Sequence, residues 1–481
     1  KGGKWYFETT AGGGNYCQIG MVREDYQYMV GKDAWGLSGS TRGLVYQAGG
    51  QFSIDKTSLQ SSLTTWTTYG QLASFLIDFD NKKVNAWVDG VDVGYTVDIT
   101  SYLSDLSPIW YPAISIGDWT TLTNDETMYV NFGQKPFKFI PPEGFNTICA
   151  ANLPSPGMTR PDQYYGTTLY NGNSATHPVD LGFKPDMVII KSYHNNDGSW
   201  NTLDTVRGAS YRLQIEDTSI QANDTGNFVS FNHNGITVQG SANGWNGLGD
   251  KYAVYTWKAG GNKGTFNIDD VGYASAAAAG LSAGDTTITG ASVNTQSGFS
   301  IIKYTGPNDT SNHTVAHGLT QAPDCVIAKN LDTTYNWDIY NSAMDDDKYM
   351  VFADSAVRSQ GFNGRPTSTV INTEHDYSTN ENQAYIAYCW HNLEGVQKFG
   401  KYVGNSNASG TYVGLGFRPA LVWIKANASN SAWILYDNAR STYNPIEKRL
   451  KMDYVTSQQD SSSYAIDFLS NGFKLRTTDS W

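Results

Sequence analysis

Short runs in which apolar and polar residues alternate with a period of two recur along this chain, each bounded by Gly, Asn, Asp or Pro. Lys4-Trp-Tyr-Phe-Glu8, Phe75-Leu-Ile-Asp-Phe-Asp80, Lys83-Val-Asn-Ala-Trp-Val88 and Ala113-Ile-Ser-Ile116 are examples. Successive side chains of a strand point to opposite faces, so this pattern predicts half-buried antiparallel strands. Asp78-Phe-Asp-Asn-Lys-Lys83 followed by Val88-Asp-Gly90 predicts two paired strands with a tight turn at each end. Apolar runs with helical spacing stay within about two turns, so helices are expected to be short and few.

A longer pattern overlies the alternation. Leu181-Gly-Phe-Lys-Pro-Asp-Met-Val-Ile-Ile-Lys191, Leu319-Thr-Gln-Ala-Pro-Asp-Cys-Val-Ile-Ala-Lys329 and Leu415-Gly-Phe-Arg-Pro-Ala-Leu-Val-Trp-Ile-Lys425 are variants of one segment. Each is preceded by an aromatic and a glycine turn, at Tyr170, Tyr304 and Tyr402, and followed eight or nine residues after its lysine by Trp200, Trp337 or Trp433. Four residues further stand Asp204, Asn341 and Asp437, and Arg207 and Arg440 follow in copies one and three. Copies one and two close with Tyr252-Ala-Val-Tyr-Thr-Trp257 and Tyr385-Ile-Ala-Tyr-Cys-Trp390, 82 and 81 residues after their opening tyrosines. The same distance from Tyr402 falls at 483 or 484, so the third copy is expected to lack its last strand and the chain to be a piece of a longer polypeptide.

One building unit used three times predicts three similar folds. The expected organisation is a β-sandwich over 1–146, a proline-rich linker over 147–164, a β module over 165–261, a linker or hairpin insert over 262–297, a second module over 298–398 and a truncated third over 399–481. The fold class is therefore all-β, an N-terminal sandwich followed by three tandem antiparallel β-sandwich modules, the last incomplete.

Composition narrows the function classes. Charged residues reach only 16% while aromatic residues make up 13%, a profile of tyrosine-decorated, sheet-rich extracellular or virion proteins. A net charge of −12 without any basic run argues against a nucleic-acid grip, and no apolar run is long enough to span a membrane. Cys17, Cys149, Cys325 and Cys389 lack the paired spacing of thiolate metal sites; Cys325 and Cys389 are expected as small buried hydrophobes.

The order of segments in the first unit resembles a SPRY domain, a concanavalin-like sandwich. The resemblance rests on Gly3-Lys-Trp-Tyr-Phe-Glu8, Ile19-Gly-Met-Val22, the strand pair 75–90, Tyr111-Pro-Ala-Ile-Ser-Ile-Gly117, Val130-Asn-Phe-Gly-Gln-Lys-Pro-Phe137 and Pro141-Pro-Glu-Gly-Phe145. It departs at Tyr69-Gly-Gln-Leu-Ala-Ser74, where that family carries a Gly-Asp turn. The repeats, with Trp257-Lys-Ala-Gly-Gly261 and Asn267-Ile-Asp-Asp-Val-Gly-Tyr-Ala-Ser275, look like modules of structural proteins in marine bacteriophages, particularly those of cyanobacteria. The two resemblances imply a tail fibre or other virion appendage, with virion location and host-surface contact; association with other virion proteins and a non-enzymatic role carried by a homo-oligomer are the accompanying expectation.

Candidate chemistry is sparse. The Glu-x-Asp-x-x-Glu strand motif of sandwich glucanases is absent, as is a phosphate-cradling Gly-Lys-Ser/Thr loop, so no catalytic residue is assigned and the chain is expected not to be an enzyme. Loops at the end of a sandwich carry recognition, which makes Tyr26, Tyr28, Trp35 and Trp119 the candidate ligand-stacking residues. Asp345, Asp346 and Asp347 have the oxygen chemistry that calcium demands, against the plainer reading of a solvated turn. His313 and His317 are expected as surface histidines, Trp200, Trp337 and Trp433 as core, and Asp204, Asn341 and Asp437 as caps of their own turns. The expected function is adhesion to a host-surface glycan or protein. A purely structural capsid or tail role and a polysaccharide depolymerase are the alternatives.

Overall fold

Strand pairing begins where the alternation places it. Leu72–Asp78 and Lys83–Val88 pair antiparallel from Ala73↔Val88 to Asp78↔Lys83, and Asp89-Gly90, both at positive φ, turns the chain into Val91–Asp92. The computed structural model describes residues 3–11, 17–23, 43–54, 57–101, 110–115, 127–149, 152, 158–194, 198–345, 348–352, 358–427 and 431–478. The fold is all-β; among the described residues the helical turns are two short 3-10 segments, Pro161–Gln163 and Ser462–Tyr464.

The chain forms two units, Lys1–Ser155 and Pro156–Trp481. In the first, one sheet is built around Lys4–Thr10 and Leu72–Asp78 and the other around Gln18–Arg23 and Gly43–Gln47. Phe7 and Phe75 of one sheet and Ile19 and Tyr46 of the other share one core with Phe52 and Trp66, which makes the unit a β-sandwich.

In the second unit the repeats follow one plan. Repeat 1 orders its main sheet as opening strand Tyr165–Asn171, closing strand Lys251–Trp257, lysine strand Met187–Ser192, tryptophan strand Asn201–Asp204 and then Tyr211–Gln214. Repeat 2 repeats the order with Phe299–Thr305, Ala384–Trp390, Cys325–Asn330, Trp337–Asn341 and Met350–Val351. Repeat 3 has the lysine strand Leu421–Ile424, the tryptophan strand Ile434–Asp437 and Lys448–Lys451. The insert before repeat 2 is a hairpin, Phe266–Ile268 with Val271–Tyr273, followed by Thr287–Asn294, and all three join the sheet of repeat 2.

The lysine strands of repeats 1 and 2 are not half-buried: every residue of Met187–Ser192 and of Cys325–Asn330 is buried, whereas Leu421–Ile424 of repeat 3 alternates. One face of each main sheet packs on the repeat's own small sheet. In repeat 1 this sets Val188, Ile190 and Val254 against Val179, Phe228 and Ile236. The opposite face goes into a core that all three repeats share, where Met187, Ile189, Tyr255, Ile327, Tyr388, Leu435 and Leu450 meet the three tryptophans. A strand covered on both faces reads as a continuous apolar run, which is what Met-Val-Ile-Ile and Cys-Val-Ile-Ala are.

Polar bonds across this core run in one cyclic direction. The Trp337 indole of repeat 2 donates to Gln214 O of repeat 1 (2.9 Å), Trp200 of repeat 1 to Lys451 O of repeat 3 (3.0 Å), and Trp433 of repeat 3 to Val351 O of repeat 2 (2.9 Å). Tyr388 of repeat 2 donates to Asp204 Oδ2 of repeat 1 (2.7 Å), and Tyr255 of repeat 1 to Asp437 Oδ2 of repeat 3 (2.8 Å). Lys329 Nζ reaches Thr218 O (3.1 Å) and Lys191 Nζ reaches Val455 O (2.8 Å) in the same sense. The three repeats thus close a ring, each gripping the preceding one.

The recurrent acid caps its own turn, as expected, and does more. Asp204 Oδ1 accepts from Val206 N and Arg207 N, and Asp437 Oδ1 from Ala439 N and Arg440 N; each Oδ2 takes the arginine Nε at 2.6 Å together with the neighbour's tyrosine. Burial pushes both phenols well above their ordinary range, so they remain protonated donors. In repeat 2 the same positions hold Asn341 and Met344, so the charged pair is replaced as a unit and no unpaired charge is buried.

Removing one partner of a buried pair strands the other charge, whereas removing both need not cost stability. Asp204→Asn or Arg207→Met alone is expected to lower the unfolding free energy by about 3–5 kcal/mol in denaturant titration, and the double variant, which copies repeat 2, to recover most of it. Trp337→Phe, which leaves Gln214 O without its donor and opens a void, is expected to cost on the order of 2 kcal/mol by the same titration.

Candidate functional site

Docking of repeat 1 on repeat 3 leaves a cleft of about 470 Å³ lined by Leu169, Tyr193, His194, Lys251, Arg440, Lys448, Ser457 and Gln458. Each wall follows from the local fold. Lys251 begins the closing strand of repeat 1, Tyr193 and His194 follow its lysine strand, and Arg440 and Lys448 flank the turn after the tryptophan strand of repeat 3. Gln458 N donates to Tyr193 O (3.0 Å), joining the two walls.

Arg440 is the buried anchor, 6% exposed, and its Nε is committed to Asp437. Its Nη1 donates to Gln458 Oε1 (3.1 Å), and Lys448 Nζ donates to Arg440 O (3.1 Å). His194 Nδ1 stands 4.0 Å from Asp250 Oδ1. Burial raises the Tyr193 hydroxyl above its usual range, Arg440 pulling the other way, so it serves as a neutral donor or acceptor. Two lysines, an arginine and a histidine meet here, and among the described residues no carboxylate lines the space. A cleft this size fits a sugar unit or a similar small group, and its nitrogen lining suits an anionic one, held by charge-assisted hydrogen bonds.

None of these lining residues was among the candidates from sequence. Arg440 carried a signal, its recurrence with Arg207. His194, Lys251 and Lys448 belong to no recurrent motif and come together only when distant repeats dock. Tyr26, Tyr28, Trp35, Trp119, Asp346 and Asp347 lie outside the described residues. Asp345 is exposed, and its carbonyl accepts from Lys348 N (3.0 Å). Asp338, upstream of it, is 1% exposed; burial raises its carboxyl to about 8, against the pull of Arg358 and Lys329. Among the described residues no group of three His, Cys, Asp or Glu is arranged to hold a metal ion.

The histidine expectation is corrected. His313 starts a strand and is held between Asp285 (3.1 Å) and Asp309 (2.9 Å), while His317 is fully buried, its Nδ1 accepting from Leu319 N (3.1 Å). Burial holds His317 down at about 4, so it stays neutral at physiological pH. Strand pairing of His313–Ala316 with Val370–Thr373 draws both rings inward, a long-range contact that local loop composition does not disclose.

Comparison with known proteins adds the family and little else. No curated protein matches the chain. Two solved structures it resembles are the NanB sialidase of Streptococcus pneumoniae as a single-site mutant (9% identity, TM-score 0.17, 98% of this chain and 72% of that one) and the same enzyme in complex with a chlorobenzyl-ammonio-ethanesulfonate (10% identity, TM-score 0.17, 97% and 71%). Likeness this slight carries no argument about activity. The family described as Domain of unknown function (DUF7483) matches residues 160–481, the whole of the three-repeat ring, and the chain belongs to it.

Proposed function

We propose that this chain is a non-enzymatic adhesion protein of a phage virion appendage. In this reading the SPRY-like sandwich and the repeat ring are carried in several copies beside other virion proteins, and the cleft between repeats 1 and 3 holds an acidic group of a host-surface glycan. The observation that carries the proposal is the lining of that cleft: four basic side chains and, among the described residues, no carboxylate, on a chain whose net charge is −12. Such a lining attracts anions and lacks the paired carboxylates that acid-base cleavage of a glycosidic bond requires. Weak single-site affinity suits adhesion, because copy number multiplies it. The sequence resemblance to SPRY domains and to marine phage structural modules supplies the virion setting.

Incubation of the whole chain with host cells and with isolated envelope glycans tests this. Retention on acidic glycans, greater than on neutral ones and falling with salt, is the expected result. The Lys251→Ala/Lys448→Ala variant is expected to bind acidic glycan roughly tenfold more weakly in a calorimetric titration. Shortening of the glycan chains favours the depolymerase alternative, and absence of retention favours the structural one.

A further inference from the structure

The opening strand of repeat 1 is a sheet edge. Tyr165–Asn171 pairs with Lys251–Trp257 on one side, and among the described residues no strand pairs with the other. Lys258 N donates to Tyr164 O (2.8 Å) and Gly172 N to Asp250 O (2.8 Å), so the alternation of an antiparallel ladder commits the even-numbered residues to the closing strand. The N–H and C=O groups of Tyr165, Thr167, Leu169 and Asn171 therefore point outward in a row, ready to template another strand. At seven residues this is the longest edge strand among the described residues. Edges are ordinarily blunted by proline, charge or a bulge, as Pro112 blunts the six-residue edge Trp110–Ser115. Tyr-Gly-Thr-Thr-Leu-Tyr-Asn has none of these and pairs in unbroken register.

Repeat 2 shows what fits such an edge. Its opening strand, Phe299–Thr305, holds the same place, Phe299↔Trp390 matching Tyr165↔Trp257, and there Thr287–Asn294 pairs antiparallel along the outer side. Ile288, Ala291 and Val293 of that added strand enter the core of repeat 2 beside Leu319, whose counterpart in repeat 1 is Leu181. Elsewhere along its length the strand touches the preceding repeat: a Cβ on Gly290 would lie 3.0 Å from Val206 Cγ1 of repeat 1. Docking of neighbouring repeats thus leaves room for a strand beside the opening strand. For repeat 1 the residue in the place of Val206 is Ala439 of repeat 3, a smaller side chain.

We infer that the outer edge of Tyr165–Asn171 is a docking site for an uncharged extended segment of a partner protein, added antiparallel in the place that Thr287–Asn294 takes on repeat 2. Main-chain bonds to Tyr165, Thr167, Leu169 and Asn171 give affinity, and alternate apolar side chains packed toward Leu181 give selectivity, the mode of strand addition. The segment is of the Thr287–Asn294 kind, β-branched and small residues without charge or proline. It comes from a different protein because this chain's own strand of that kind is already committed to repeat 2.

The probe is the synthetic peptide Thr-Thr-Ile-Thr-Gly-Ala-Ser-Val-Asn-Thr, a copy of residues 286–295, added to the whole chain in two singly N-methylated forms. In repeat 2 the N–H of Ala291 faces away from the opening strand and donates to Thr265 O (2.9 Å), so that of Ser292 faces the opening strand. The form methylated at the position of Ala291 is expected to show saturable one-to-one binding by calorimetry. It should slow amide exchange at Tyr165, Thr167, Leu169 and Asn171 and leave Gly166, Thr168 and Tyr170 nearly unchanged. Methylation at the position of Ser292 removes one hydrogen bond and blocks the ladder, and is expected to weaken binding at least about tenfold. Absence of binding by both forms, equal binding of both, or protection without that alternation overturns the inference. Slowed exchange at the same amides on concentrating the chain without peptide would place a second copy on the edge and overturn it as well. The readouts are peptide binding and main-chain exchange, so failure here leaves the glycan reading standing, and failure of glycan retention leaves this one.

Discussion

Burial of polar groups that find their partners only in a neighbouring repeat is the constraint on which the second unit rests. An indole N–H or a phenol O–H taken out of water without an acceptor costs several kcal/mol, and here the three recurrent tryptophans and the tyrosines Tyr255 and Tyr388 are answered across a repeat boundary. Trp337 needs Gln214 of repeat 1, Trp200 needs Lys451 of repeat 3, and Trp433 needs Val351 of repeat 2. A repeat on its own would leave these donors unanswered and the second face of its lysine strand in water. Closure of the ring is therefore the condition under which each repeat is a stable sandwich.

The same constraint explains how the repeats differ. Where a closing strand brings a tyrosine, the neighbour offers an Asp–Arg pair whose charges cancel; at the third junction the acid and the base have both become neutral. The substitution is coupled because half of it would bury a lone charge. The cleft, in contrast, lies where the repeats are least alike. His194, Lys251 and Lys448 stand at ends of strands, where packing demands little, and docking assembles them into a cationic cleft.

Much of the scaffold was legible because it is written three times. The lysine and tryptophan segments, the turn-capping acid and its arginine recur at fixed spacing, and alternation located Lys83–Val88 to the residue. What the sequence did not disclose is what the second face of each lysine strand packs against. An apolar run of four residues is equally the mark of a sandwich core and of a sheet wedged between two cores, and only the relative placement of distant repeats decides. The cleft escaped notice for the same reason, as did the inward turn of His313 and His317, which follows from pairing with Val370–Thr373.

Native-state hydrogen exchange at increasing denaturant, followed in Met187–Ser192, Cys325–Asn330 and Leu421–Ile424, tests the closed ring most directly. If the repeats stabilise one another through shared donors and one core, the slowest amides of all three strands converge on a single opening free energy and a single denaturant dependence. Three separate opening free energies, each with the smaller denaturant dependence of one repeat, would contradict it.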